Sequence, residues 1–167
     1  VVFSRSPQNR PWRVRSWNGE TLGPWVEELD GADVVINLAG RTVNCRYSYR
    51  NRWQIISSRL RSVRAVEAAI NSVPNPPKLW FQASTATIYA HSIDRAQDEA
   101  AGVLGGFERE VPETWRFSID VARSWEGVFE AARVSRTRKV LVRSAMTMSP
   151  DSGGIFDMLL WLVRLGL

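Results

Sequence analysis

Three short stretches of the chain place hydroxyl, phenol, amide and guanidinium groups where an apolar run stops. Ser4-Arg5 follows Val1-Val2-Phe3. Asn37-Leu38-Ala39-Gly40 closes Asp33-Val34-Val35-Ile36, and Ser84-Thr85-Ala86-Thr87-Ile88-Tyr89 follows Leu79-Trp80-Phe81-Gln82-Ala83. A guanidinium beyond a strand can meet a phosphate through paired N–H donors. A tight turn of small residues lets backbone approach a ligand, and clustered hydroxyls with a phenol polarise a carbonyl or orient a sugar. Each stretch also has a plainer reading: a solvated surface charge, an ordinary strand-to-loop turn, and hydroxyls that cap backbone groups.

Which reading holds depends on the elements that carry the three stretches. Val1 to Ser4 reads as a strand end stopped by Ser6-Pro7, since proline removes a donor and pushes its predecessor away from helix. Trp12 to Trp17 alternates in strand fashion, and Asn18-Gly19 is a turn. A short helix is expected from Gly23-Pro24 to Asp30. The β-branched run from Asp33 to Gly40 reads as a strand buried on both faces. Between Ser48 and Asn71, Trp53, Ile56, Leu60, Val63, Val66 and Ile70 recur at three and four, predicting a helix with that stripe inward and Arg50, Arg61 and Arg64 outward. Further strands are expected at Leu79 to Ser84 and Val140 to Ala145. Further helices are expected with Phe117, Val121, Trp125, Val128 and Phe129 on one face, and from Ile155 to Leu165.

Strands alternating with helices predict an α/β class: a Rossmann-like doubly wound parallel sheet with helices on both faces, in one domain over residues 1–167. In such sheets ligands sit beyond the carboxyl ends of the strands, which is where all three stretches fall. The loop after Gly40 adds Asn44 and Arg46 on the substrate side, with Cys45 between them as a thiol whose thiolate content Arg46 could raise, and His91 lies just past Tyr89. A lone loop histidine and a lone cysteine are, equally, surface and core residues.

Composition narrows the classes. The 167 residues are 44% hydrophobic and 23% charged, which fits a globular chain. The 22 Lys and Arg against 17 Asp and Glu give a charge of +5, and only Lys78 and Lys139 are lysine. The arginines are spread over every element and interleaved with acids, not gathered with aromatics on one face, which speaks against nucleic acid as partner. One cysteine and one histidine exclude an internal disulfide and leave no ordinary zinc set, so no metal is expected. No apolar run approaches the ~18 residues that span a bilayer, and no secretory leader is visible. The expectation is a cytoplasmic chain with no membrane partner.

Taken together, Asn37-Leu38-Ala39-Gly40, Ser57-Ser58-Arg59, Ser84 to Tyr89, Phe117 with Trp125-Glu126, and the stretch Arg143 to Leu167 with Ser149-Pro150-Asp151 and Gly153-Gly154 resemble the extended short-chain dehydrogenase/reductase superfamily. The likeness is to its NAD(P)-dependent epimerase-like subgroup, related to sugar-nucleotide epimerases. The resemblance implies a Rossmann fold that binds NADP, with NAD as the other cofactor of the group. Ser4, Arg5, Asn37, Leu38, Ala39, Gly40, Arg59 and Ser84 would line the cofactor. Thr85 would take the place of the active-site hydroxyl, with Tyr89 beside it, and Asn44, Arg46 and His91 would face a nucleotide-sugar or similar carbonyl or hydroxyl substrate. A homodimer paired through helices is a further expectation from relatives.

Two departures follow. The family begins with a strand and a Gly-rich phosphate turn, which the chain lacks, so it is expected to be an interior piece of a larger protein, without the central strand or the later substrate lobe. The family's acid–base pair, Tyr-x-x-x-Lys, is also missing: Pro74 precedes Lys78 by four and Ser135 precedes Lys139 by four. Phe117 stands near the tyrosine's place, with Arg123 as a nearby cation. An oxidoreductase or epimerase, and a non-catalytic NADP-binding structural or sensing protein, are therefore both carried forward.

Overall fold

The computed structural model describes residues 1–6, 10–109 and 111–167, so Pro7, named above as a strand stop, lies outside the described residues. Five strands and three α-helices follow in the order β1 (Val2–Ser4), β2 (Val14–Ser16), β3 (Val34–Asn37), α1 (Tyr49–Ser72), β4 (Leu79–Thr85), α2 (Glu113–Ala131), β5 (Arg138–Ser144) and α3 (Ile155–Arg164). Short 3-10 turns occupy Pro24–Leu29 and Ala86–Ile88. Pro24 presets the backbone of the first of these, which is the expected short helix in 3-10 form.

All strand pairs are parallel. β1 pairs with β2, and β3-β4-β5 form a second sheet, in register Asn37↔Gln82↔Leu141 and Ser84↔Arg143. The expected α/β doubly wound fold thus appears in two hydrogen-bonded pieces, with no described strand joining β1 to β3. One apolar core nevertheless runs through both, from Phe3, Trp17 and Trp25 to Val35, Val66, Trp80 and Phe129. Trp80, fully sealed, meets Phe129 edge-on at 4.8 Å.

Alternation sets the faces of the larger sheet. Val35, Asn37, Trp80, Gln82 and Ser84 point to the side covered by α1 and α2, whereas Val34 and Ile36 on β3 and Val142 on β5 are exposed on the other. α3 buries no residue. Its exposed Phe156, Met158 and Trp161 form the apolar patch that an all-round apolar helix implies.

Ser48 caps α1 by accepting from the Asn51 backbone N–H at 3.4 Å, and Pro74 and Pro77 follow its end. The buried stripe of α1 is Ile55, Ser62, Val63, Ala65, Val66, Ala69 and Ile70. Trp53, expected in that stripe, is instead exposed with Arg61 over its ring at 5.1 Å. Ile55 takes the inward place one residue pair further on. The α2 face is as its spacing indicates, with Phe117, Val121, Trp125 and Phe129 buried. Lys139 on β5 donates to the carbonyls of Phe129, Glu130 and Ala132, each at 2.8 Å, and so closes the C-terminal end of α2.

Candidate functional site

The first strand end is open to solvent. Ser4 and Ser6 exchange local hydrogen bonds, and Arg5 is exposed and makes no ion pair among the described residues. Its guanidinium is therefore available to an anion.

At the second strand end, sequence and structure diverge residue by residue. Asn37 is 2% exposed, and its side chain faces inward. Its Nδ2 donates to Gln82 Oε1 at 2.9 Å and Ser62 Oγ at 3.3 Å, while its Oδ1 accepts from the Ala39 backbone N–H at 3.0 Å. Asn37 thus shapes the turn from below and presents no side-chain atom to a ligand. Leu38 is exposed and Ala39 half-buried. Gly40 is hemmed in by Arg59, whose guanidinium carbon would lie 3.2 Å from a Cβ there.

Arg59 is likewise occupied within the protein. Its Nη1 donates to the carbonyls of Arg41 at 3.0 Å and Ile55 at 2.9 Å, and its guanidinium lies over Trp125 at 5.0 Å. Burial lowers its pKa, against a smaller opposing effect of Tyr47. Arg59 supports the Leu38–Gly40 turn, so the expectation that it lines a cofactor gives way to a role one layer beneath.

The third strand end splits by parity. Ser84 is buried and donates to Glu126 Oε1 at 2.5 Å. Thr85, on the opposite face, is half-buried; its Oγ1 hydrogen-bonds with Thr87 Oγ1 at 2.9 Å, either hydroxyl able to donate, and accepts from the Thr87 N–H, capping the 3-10 turn. Tyr89 is 8% exposed, bridges to Leu104, and accepts at its phenol from Arg143 Nη1 at 2.8 Å. Arg143 in turn holds Glu126 through two bonds, Nε to Oε1 at 2.9 Å and Nη2 to Oε2 at 2.8 Å. Glu126 raises the Arg143 pKa above the ordinary guanidinium value, the largest cause being this hydrogen bonding.

The substrate-side candidates are more scattered. Asn44 and Arg46 are exposed in the loop before α1, where the Arg46 carbonyl accepts from Asn51 Nδ2 at 2.7 Å. Cys45 is partly exposed beside Thr42. His91 is exposed, its ring edge-on to Trp115 at 5.9 Å. Arg123 is drawn to the neighbouring loop, stacking on Phe107 at 4.5 Å and donating to the Gly105 carbonyl. Among the described residues no group of three or more His, Cys, Asp and Glu gathers to hold a metal, and no helix is long and apolar enough to cross a membrane.

Glu126 and Arg143 were not singled out as site residues from the sequence. The signal was present in two places: one acid on the buried face of α2, beside Trp125, and one arginine directly after the apolar Val140–Val142 run. A lone charge of each sign on two buried elements points to a pair.

No protein-family model matches the chain. The epimerase family protein SDR39U1 of Bos taurus is 31% identical over 175 residues, covering 100% of this chain and 52% of that protein. The epimerase family protein SH2119 of Staphylococcus haemolyticus is 28% identical over 158 residues, covering 95% of this chain and 50% of the relative. The chain is thus similar to these epimerase family proteins along nearly its whole length. A crystal structure of human epimerase family protein SDR39U1, isoform 2, with NADPH superposes at a TM-score of 0.74 and 27% identity, covering 99% of this chain and 51% of that one. This likeness agrees with the parallel α/β fold. The chain spans about half the length of these relatives.

Proposed function

We propose that the chain forms part of an NADP-using, epimerase-like oxidoreductase acting on a nucleotide-sugar or a similar carbonyl or hydroxyl substrate. The reading is supported by the position of Arg5, the Leu38–Gly40 turn and the Thr85 hydroxyl, each at the carboxyl end of a parallel strand, in a fold that superposes on an NADPH-bound relative.

The residues fit a dinucleotide in distinct ways. Arg5 offers a paired set of donors to a 2′-phosphate, with Ser4 next to it. The Leu38–Gly40 turn is held from the protein side, where Asn37 takes the Ala39 N–H and Arg59 the Arg41 carbonyl, and Leu38 and Gly40 are exposed. Thr85 presents a hydroxyl on the face away from the helices. A bound nicotinamide would supply hydride transfer. The chain's share is to orient it, and to hold a proton at Thr85 Oγ1 or at the Tyr89 phenol. Asn44, Arg46 and His91 lie on exposed loops on the substrate side.

NADP recognition rests on Arg5. Titration of the protein with NADPH and NADH should show tighter NADPH binding, and Arg5→Ala should weaken NADPH by about 10-fold or more while leaving NADH unchanged, the loss of one charge-assisted contact. Equal affinity of the unaltered protein for the two cofactors would rule Arg5 out.

A second reading, a dinucleotide-binding protein without turnover, is favoured by the missing Tyr-x-x-x-Lys pair and by the burial of Tyr89. Assay of NADPH oxidation against a panel of nucleotide sugars and simple carbonyls separates the two. Turnover abolished in Thr85→Val supports the enzyme, and its absence across the panel with NADPH still bound supports the binding protein.

A further inference from the structure

One ion pair reaches the candidate strand end from two elements. Glu126 on α2 is 4% exposed, and both its oxygens are taken by Arg143 on β5, with Ser84 as a second donor to Oε1. The remaining arm of the guanidinium, Nη1, meets the Tyr89 oxygen at 2.8 Å, and the guanidinium carbon stands 5.0 Å from the centre of the Tyr89 ring.

Stability does not account for such a pair. Desolvation of two charges offsets their attraction, so apolar side chains of equal volume would hold the elements together about as well. What apolar side chains cannot do is aim a donor. With Nε and Nη2 fixed by the carboxylate, the planar guanidinium has one direction left for Nη1, and it is directed at the phenol. Tyr89 accepts there, so its own O–H remains to donate, and it donates no hydrogen bond among the described residues. The sequence offers no lysine four residues after a tyrosine, so Arg143 is the cation that the fold does bring to a phenol.

We infer that Glu126 and Arg143 are a positioning pair that fixes the Tyr89 phenol at the strand end carrying Thr85, with its proton turned away from the guanidinium. What that proton then serves rests on the dinucleotide reading above; the positioning does not.

Nitration by tetranitromethane, read by peptide mass spectrometry, tests the pair on the three tyrosines. Tyr49 is 88% exposed and reports reagent activity, and Tyr47, against Phe117 at 5.1 Å, reports general loosening. In the unaltered protein Tyr89 should be protected. Arg143→Met should raise its nitration about 10-fold or more with Tyr47 unchanged, and Arg143→Lys should restore part of the protection. Glu126→Gln, which keeps the shape and removes the charge, should act in the same direction and serves if Arg143→Met does not fold. Persistent protection of Tyr89 in the folded variants overturns the inference, as does a parallel rise at Tyr47 and Tyr89. In a second arm, the emission of bound NADPH should fall alike in Arg143→Met and Tyr89→Phe, and no further in the double variant. Additive losses there overturn the inference, whereas an unaltered protein that binds no NADPH overturns the cofactor reading alone and leaves the nitration result to decide the positioning.

Discussion

Asn37 on β3 donates its side-chain amide to the Gln82 carbonyl oxygen on β4 at 2.9 Å, with both residues sealed from solvent. The same Asn37 holds the Ala39 N–H, so one amide ties the sheet interior to the turn proposed to line the cofactor. Asn37→Ala strands the Gln82 oxygen without its donor and frees the turn. An unpaired buried polar group costs about 1–3 kcal/mol, so a loss of that size in urea denaturation is expected, with the Ala39 amide exchanging faster with deuterium. An unchanged unfolding midpoint would show that the amide bridge is not needed.

The Glu126–Arg143 pair makes an asymmetric prediction for stability. Glu126→Leu alone leaves a largely buried guanidinium without its counterion and should cost about 3–5 kcal/mol. Adding Arg143→Met should recover most of that loss, because two apolar groups replace two desolvated charges. Denaturation of the single and double variants decides it. A double variant as weak as the single one would mean that the pair itself holds the fold.

Acid should loosen the loop before α2 earlier than the core. Glu108 accepts from the Gly106 backbone N–H at 2.6 Å, and bonds to backbone N–H groups of this loop hold its carboxyl below the ordinary 4.5. A group with a depressed folded pKa contributes stability that is present above the unfolded value and lost as pH falls through the folded one. Limited proteolysis between residues 91 and 112 should therefore quicken as pH falls below the ordinary carboxylate range, and Glu108→Gln should flatten that dependence. A loop whose cleavage is equally pH-dependent in Glu108→Gln would place the titration elsewhere.

Lys139 closes α2 with three carbonyls at once. Hydrogen bonds to a charged group contribute about 1.5–3 kcal/mol, so Lys139→Met should lower stability by roughly that amount despite keeping the stem. Exchange protection should fall first at the last turn of α2. A variant that retains full stability would reassign the closure to solvent.

The strands were legible because β-branched runs bounded by Gly, Pro and Asn leave little choice of element, and α2 because its apolar spacing is unambiguous. Trp53 misled because tryptophan weighs heavily in any apolar stripe, while small inward residues such as Ser62 and Ala69 carry little signal. The strand-end residues were located correctly along the chain but not always in facing. Asn37 shares the alternation of Val35, and Ser84 that of Trp80 and Gln82. That parity was in the sequence. Which parity faces the helices is decided by where α1 and α2 dock, and so by contacts between distant segments. The Glu126–Arg143–Tyr89 arrangement was hidden for the same reason, since its members lie on three elements.

The strands of the larger sheet pair in parallel, so each partner there must be reached through a long crossover: Asn37 and Gln82 are 45 positions apart, and Ser84 and Ser144, which bond across β4 and β5, are 60 apart. Closing such loops costs entropy before any ladder bond repays it, and high contact order slows folding. Refolding should accordingly show far-UV helical signal ahead of tryptophan burial at Trp80. The three strand ends would then meet only in the last step, so that a chain arrested midway carries nearly all its helix and none of the site.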